Sequence, residues 1–524
     1  MSLLFIVAQG CLPLLPEREK EIHWESWPAN VVKRLETKTP VTCTSHPVYK
    51  SPNPSLPYDL SHQLLIAGHE SSCSELNNHL LGTDLGLSVH FGGGEKDIIY
   101  FGDTLIPEET DLKRGPEFYL RHRCAYKPAP YCDDVYGFIS DNDPTDGVDL
   151  EIQGAQWAHL NRRDRIAGWN DGFASIRLMG INTRDEEGDL KSDDDGEDLF
   201  GEFNAPSGAM AITTFVHSVS SEIRFEYGLK NHRDDQDVYT KKNGVLMFFA
   251  TANNVYSKKK SWLGCTGDLV TFRSCSYPRE SEVTLFSEDK FIHVSPVPLS
   301  RAEIDSLCAT DPDSILCNLL PKLAAPDLDL GEGALLFGNG KYYRCSPMYL
   351  AYLELSTGSV WYFDKKSGTG WSEAERDATA IIEPSAAGYD PDNKNSCPFY
   401  SREPAPETSS ALFGEASVKL VENRLIMLSN HLNHAGDDVY VRVYYRTAPI
   451  DSPHDWSRPQ ATEAVGYGPY ILDRYTEIEN NALIVHHMLS TWNPSLSPEE
   501  PYAVVTTQLR LMDTGKPPSW TDGS

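Results

Sequence analysis

Two aspartates in a glycine-rich stretch are the residues whose type and spacing best suit chemistry. Asp84 lies between Gly82 and Gly86, and Asp103 follows Gly102 in the run Ile98-Ile99-Tyr100-Phe101-Gly102-Asp103-Thr104. Glycine neighbours let a ligand approach the backbone closely. Gly92-Gly93-Gly94 between them reads as a hairpin turn, so the two segments are expected as antiparallel strands whose ends meet on one rim. Two carboxylates facing one cavity do not both ionise cheaply; one pKa rises, and the pair can divide acid and base roles. The competing reading is structural, with Asp103-Thr104 in an Asx turn and Asp84 capping a strand.

Other chemistries lack their residues. Phe91-Gly92-Gly93-Gly94-Glu95 has no Walker lysine, there is no H-E-x-x-H, and no G-x-S-x-G starts a serine triad. His486 and His487 are adjacent, so on a strand they point to opposite faces. In the acidic stretch 185–202, Asp193, Asp195, Gly196 and Glu202 fall at EF-hand positions if Lys191 is the first. Lysine there removes a required oxygen ligand, and a solvated loop is the expectation. No metal or cofactor is expected.

The elements that must position the aspartates are strands. Short apolar segments bounded by Gly, Asn, Asp or Pro recur at 97–101, 244–251, 334–338, 348–355, 417–429, 439–445 and 482–491, rich in Val, Ile, Tyr and Phe. One helix is expected over 301–320, capped by Ser300. An antiparallel chain this long must dispose of its sheet edges, and radial repetition or a barrel does so. Five four-stranded blades need roughly 200–225 residues, so a chain of 524 residues implies long inter-strand loops. Residues 1–60 read as an apolar start and a Pro-rich arm, 61–512 as the β domain and 513–524 as a tail.

The balance of 46 Lys+Arg against 76 Asp+Glu, a net charge of -30, disfavours nucleic acid and anionic membranes. No segment approaches the roughly 18 apolar residues of a membrane span. Cys124/Cys132, Cys265/Cys275 and Cys308/Cys317 lie eight to ten residues apart and Cys43/Cys73 could close a longer loop, while an odd total of 11 leaves a thiol over. Local disulfides and the apolar start favour a secretory compartment. Against it, no Asn-x-Ser/Thr acceptor is present: Asn53 and Asn493 precede proline, and only Asn395-Ser396-Cys397 remains.

Gly82-Thr83-Asp84-Leu85-Gly86 followed by Ile98-Ile99-Tyr100-Phe101-Gly102-Asp103-Thr104 resembles the opening blade of a five-bladed β-propeller family that includes endo-D-arabinanases. Further matches come in the family's order. Asp141-Asn142-Asp143-Pro144-Thr145-Asp146-Gly147 is similar to its D-x-D-P-x-D-G loop, and Phe203-Asn204-Ala205-Pro206-Ser207-Gly208 to its N-x-P-[ST]-G segment. Residues 334–353 are similar to its strand–GxGxYR–S–strand unit. Gly414-Glu415-Ala416-Ser417-Val418, Tyr467-Gly468-Pro469-Tyr470 and Leu489-Ser490-Thr491-Trp492-Asn493-Pro494 complete the pattern. The likeness spans roughly residues 60–512 and implies an all-β, five-bladed propeller with a site in the central funnel.

The resemblance also implies a glycoside hydrolase acting on a furanoside polymer or related glycan, with Asp84 and Asp103 as its catalytic pair. Asn204, Arg344, Glu415, Tyr470 and Trp492 would bind substrate: Arg344 by clamping, Glu415 by a hydrogen bond to a hydroxyl, Tyr470 and Trp492 by stacking. Each also suits a structural role, as ion pair, strand anchor or core. Two other classes stay open: a pericyclase of the hetero-Diels–Alderase type, using the funnel as a shaped cavity for apolar partners, and a non-catalytic glycan-binding propeller.

Overall fold

The structure is a computed structural model and describes residues 64–68, 82–83, 85–90, 97–100, 104–105, 138–141, 177–178, 203–218, 223–229, 239–252, 260–267, 271–275, 285–324, 332–340, 346–383, 414–421, 423–435, 438–479, 482–492 and 502–512. Residues 1–60, the acidic stretch 185–202, the tail 513–524, Cys43, Cys73, Cys124 and Cys132 lie outside them.

The chain folds as a β-propeller. One blade runs outward from His293–Pro298 through Gly333–Asn339, Met348–Glu354, Ser359–Phe363 and Trp371–Ser372. Another runs from Ala416–Val421 through Arg424–Ala435, Asp438–Pro449 and Gln460–Val465. A third is built on Phe203–His217, Tyr239–Ala252, Lys260–Thr266 and Thr271–Ser274. The fourth joins both ends of the described chain: Tyr467–Ile471, Ala482–Trp492 and Tyr502–Met512 are followed outward by Leu64–Gly68, which pairs antiparallel with Tyr502–Met512. Closing the ring with the first strand removes a long free edge. The expected count of five is not reached among the described residues, where four sheets have four strands or more. A three-stranded sheet, Leu87–His90, Asp97–Tyr100 and Phe138–Asp141, accompanies them.

Packing explains why the strands read as unbroken apolar runs. In Gly333–Asn339, Leu335 and Phe337 enter one inter-blade core with Val297, Val418, Leu425 and Met427. Ala334 and Leu336 enter the opposite one with Met210, Leu246, Phe248 and Phe291. Ile426, Leu428, Ile471, Val485 and Leu489 fill the next. A strand covered on both faces has no polar side to show.

Near the axis the blades are tied by serine hydroxyls. Ser207 Oγ accepts the Val294 N–H at 3.2 Å, Ser295 Oγ accepts the Val418 N–H at 2.8 Å, and Ser417 Oγ accepts the Ile471 N–H at 3.0 Å. Each bond joins the inner strand of one blade to that of the next. Gly208 is glycine because a Cβ would lie 2.1 Å from Val294 O and 2.6 Å from Pro296 Cδ.

Three local expectations meet their outcome here. Disulfides Cys265–Cys275 and Cys308–Cys317 form. The helix starts with a full capping box, Ser300 Oγ accepting the Glu303 N–H while Glu303 accepts the Ser300 N–H. It is two helices rather than one, an α-helix Arg301–Thr310 and a 3-10 turn Ile315–Leu319, because Pro312 cannot continue the ladder. The segment 417–429 is likewise two paired strands, with Val421 opposite Arg424. Composition hides a two-residue turn between apolar runs.

His487 is buried, its Nδ1 3.2 Å from Val485 O and its Nε2 without a partner. Burial lowers its pKa to about 4. Stability from this neutral imidazole is present above the ordinary value of 6.5 and lost as pH falls through about 4, amounting to about 3 kcal/mol. Urea unfolding at pH 7 and pH 4 should therefore show the His487→Met variant losing about 3 kcal/mol less than wild type; equal losses would contradict it. Gly208→Ala should cost about 3 kcal/mol or more, while Gly368→Ala, which has open space, should stay within about 0.5 kcal/mol in the same assay.

Candidate functional site

The serine bonds set successive inner strands side by side, joining residues at most five positions from each strand's start, so those strands begin at a common mouth. Phe203, His293, Ala416 and Tyr467 open them, and Leu87 opens the three-stranded sheet. Second strands end there too, at Tyr100, Ala252, Asn339 and Trp492, while Asn430 stands beside Glu415.

Asp84, Asp103 and Arg344 lie outside the described residues, so the structure reports their flanks. Gly82 pairs with Leu105 and Thr83 with Thr104 on one side. On the other, Leu87 pairs with Tyr100 and His90 with Asp97. The gaps are equal, 84–86 and 101–103, so both ladders share one register. Leu85, next to Asp84, has φ 48°, a left-handed conformation costly for a branched side chain. It is held from two sides: its N–H donates to Ser490 Oγ at 2.7 Å, and its side chain covers Gly468, where a Cβ would lie 2.6 Å from Leu85 Cδ2.

Glu415 is 8% exposed, and its Oε2 accepts from Asn430 Nδ2 at 2.9 Å. Asn339 Nδ2 donates to Gly414 O at 2.6 Å, and the Gly414 N–H donates to Asn430 O at 3.0 Å. Gly414 leaves room for this contact, since a Cβ would sit 2.3 Å from Asn430 Nδ2. Asn339 Oδ1 and Asn430 Oδ1 are buried without hydrogen-bond partners. On the flank of residues 341–345, the Gly340 N–H donates to Ser346 Oγ at 2.5 Å.

Tyr470 is buried, and its hydroxyl donates to Ser88 O at 2.8 Å while accepting from Lys419 Nζ at 3.1 Å. The ammonium also lies 4.8 Å from the ring centroid. This strut links the inner strands Ala416–Val421 and Tyr467–Ile471 to Leu87–His90 of the three-stranded sheet. Asn204 stands opposite Thr251, and Trp492 opposite Tyr502. The mouth thus brings Glu415 together with Asn339 and Asn430, which sequence reasoning missed; an asparagine on a strand carries no local signal for a contact such as that of Asn339 with Gly414 of the next blade. Among the described residues, no group of three His, Cys, Asp or Glu side chains could hold a metal ion, and no helix is long and apolar enough to cross a membrane.

No protein-family model matches the chain, and no curated protein matches it. Solved structures align over most of its length. An N-acetylgalactosamine deacetylase from F. plautii is 9% identical, with a TM-score of 0.35, covering 82% of this chain and 90% of that one. An α-L-arabinofuranosidase from Fusarium graminearum is 10% identical, with a TM-score of 0.32, covering 82% and 93%. An exo-β-1,3-galactanase from Phanerochaete chrysosporium is 9% identical, with a TM-score of 0.30, covering 82% and 64%. Likenesses at this level carry no weight for activity.

Ser490→Ala would leave the Leu85 N–H without its acceptor. It should cost about 1–2 kcal/mol and raise hydrogen exchange at Leu85. Unchanged exchange there would mean Ser490 does not hold the aspartate-bearing segment.

Proposed function

We propose that the protein is a glycoside hydrolase-like enzyme cleaving a furanoside of the D-arabinan type, or a related glycan, with Asp84 and Asp103 as its paired carboxylates. The observation that carries this is the common register of the two flanking ladders. Continued without a shift through 84–86 and 101–103, that register would set Asp84 opposite Asp103. In this reading the three-stranded sheet Leu87–His90, Asp97–Tyr100 and Phe138–Asp141 is the inner part of a first blade, completing five.

One aspartic acid protonates the leaving glycosidic oxygen; the other attacks the anomeric carbon or deprotonates a water that does so. A carboxylate separation of about 5–5.5 Å gives retention and about 6.5–9.5 Å inversion. The acid role requires one carboxyl to hold its proton, which a second carboxylate close by would favour. Glu415 accepts a hydroxyl hydrogen bond, Arg344 and Asn204 orient the sugar, and Trp492 bounds its ring face, while buried Tyr470, expected to stack, braces the strands instead. The acceptor-rich surroundings of Glu415 favour a ligand with many hydroxyl donors over an apolar one, and the described mouth residues give the pericyclase reading no support. Two disulfides favour a secretory compartment.

A furanoside and polysaccharide screen should detect reducing-sugar release by the wild type. Asp84→Asn and Asp103→Asn should each lower kcat by about 10²–10⁴-fold or more with unchanged unfolding midpoints. Full activity in either variant would end the assignment.

A further inference from the structure

At the end of the blades away from the mouth, a buried carboxyl joins two of them. Phe203–His217 continues past the core and pairs on its inner side with Ile223–Phe225, Thr214 lying opposite Phe225. The chain then turns through Glu226, Tyr227 and Gly228. The Glu226 N–H donates to Thr213 O at 2.9 Å, and its Oε2 accepts the Thr213 N–H at 3.1 Å. The side chain is 1% exposed, and Oε1 has no hydrogen-bond partner. From this turn the Gly228 N–H donates to Leu355 O of the next blade at 2.7 Å. The Tyr227 ring packs where a Cβ on Gly358 would lie 3.1 Å from it.

We propose that the Glu226 turn is a proton-operated latch between these two blades, closed when its carboxyl is protonated and loosened when it ionises. An orphan oxygen in a dry seam tolerates a neutral acid far better than a carboxylate. The charged neighbours reinforce this. Glu332, just before Gly333–Asn339 of the facing blade, opposes ionisation, while Lys241 on the strand beside Phe203–His217 favours it. Beyond them, Glu303 and Glu354 with Arg301 surround Tyr352, and Glu303 in turn acts on Glu332.

Burial raises the Glu226 pKa from 4.5 to about 7. The closed latch therefore binds a proton more tightly than the open one. Its stabilisation is complete below 4.5 and is lost as pH rises through about 7.

Hydrogen exchange of residues 223–229, corrected for intrinsic rates, reads the opening. In the intact chain it should rise about 30-fold between pH 5 and pH 7, while Glu226→Gln, which cannot ionise, should show no such rise. Lys241→Met removes a favourable cation and should move the wild-type midpoint to higher pH, keeping the test usable should the glutamine variant fail to fold. An equal rise in Glu226→Gln, or a wild-type profile flat across this range, overturns the latch.

Discussion

The inner strand of a propeller blade has a free edge at the axis, and this molecule manages it with serine. N–H groups on that edge that meet no partner strand need another acceptor, and a buried hydrogen bond left unmade costs about 1–3 kcal/mol. Ser207, Ser295 and Ser417 answer one such group apiece on the next blade. Tyr467-Gly468-Pro469-Tyr470 has no serine to offer, and Ser490 on its partner strand serves instead, reaching Leu85. At the first of these seams Gly208 permits the close approach, since a Cβ there would lie 2.1 Å from Val294 O. The blades are thereby fixed in height, and the residues at their starts converge on one mouth.

Two ends with different characters follow. At the mouth, amide groups of Asn339 and Asn430 grip Gly414 and Glu415 and keep acceptor capacity in hand. A buried lysine, a tyrosine and a main-chain oxygen brace the aspartate hairpin from below. At the far end the side chains are acidic and desolvated, so the geometry there answers to protons. The proposed glycan site and the proposed proton latch occupy separate parts of one scaffold.

Much of this was legible locally. Apolar runs between turn residues marked the strands, Ser300 with Glu303 announced a helix start, and cysteines ten and nine residues apart closed two bridges. Alternation failed to separate the strands of the 417–429 hairpin because both faces of each are buried. Pro312 divided a helix whose apolar pattern ran on through it. Ser207 and Ser417 lie within segments that resemble a propeller family's motifs, yet nothing local assigned their hydroxyls to a neighbouring blade. Contacts such as Leu85 with Ser490 join residues 405 apart, beyond any window a periodicity can span. The same holds for Asn339 and Gly414, and for Tyr470, whose ring suggested stacking while its hydroxyl serves as a strut.

The central claim is that the carboxylates of the first hairpin face each other, and proximity measures it directly. In an Asp84→Cys/Asp103→Cys double variant, residues opposite on antiparallel strands stand about 4.5–5.5 Å apart at Cα, within reach of a disulfide. Peptide mapping by mass spectrometry should find the two cysteines joined to one another after mild oxidation. Two free thiols at these positions, in a protein that keeps its fold, would contradict the account.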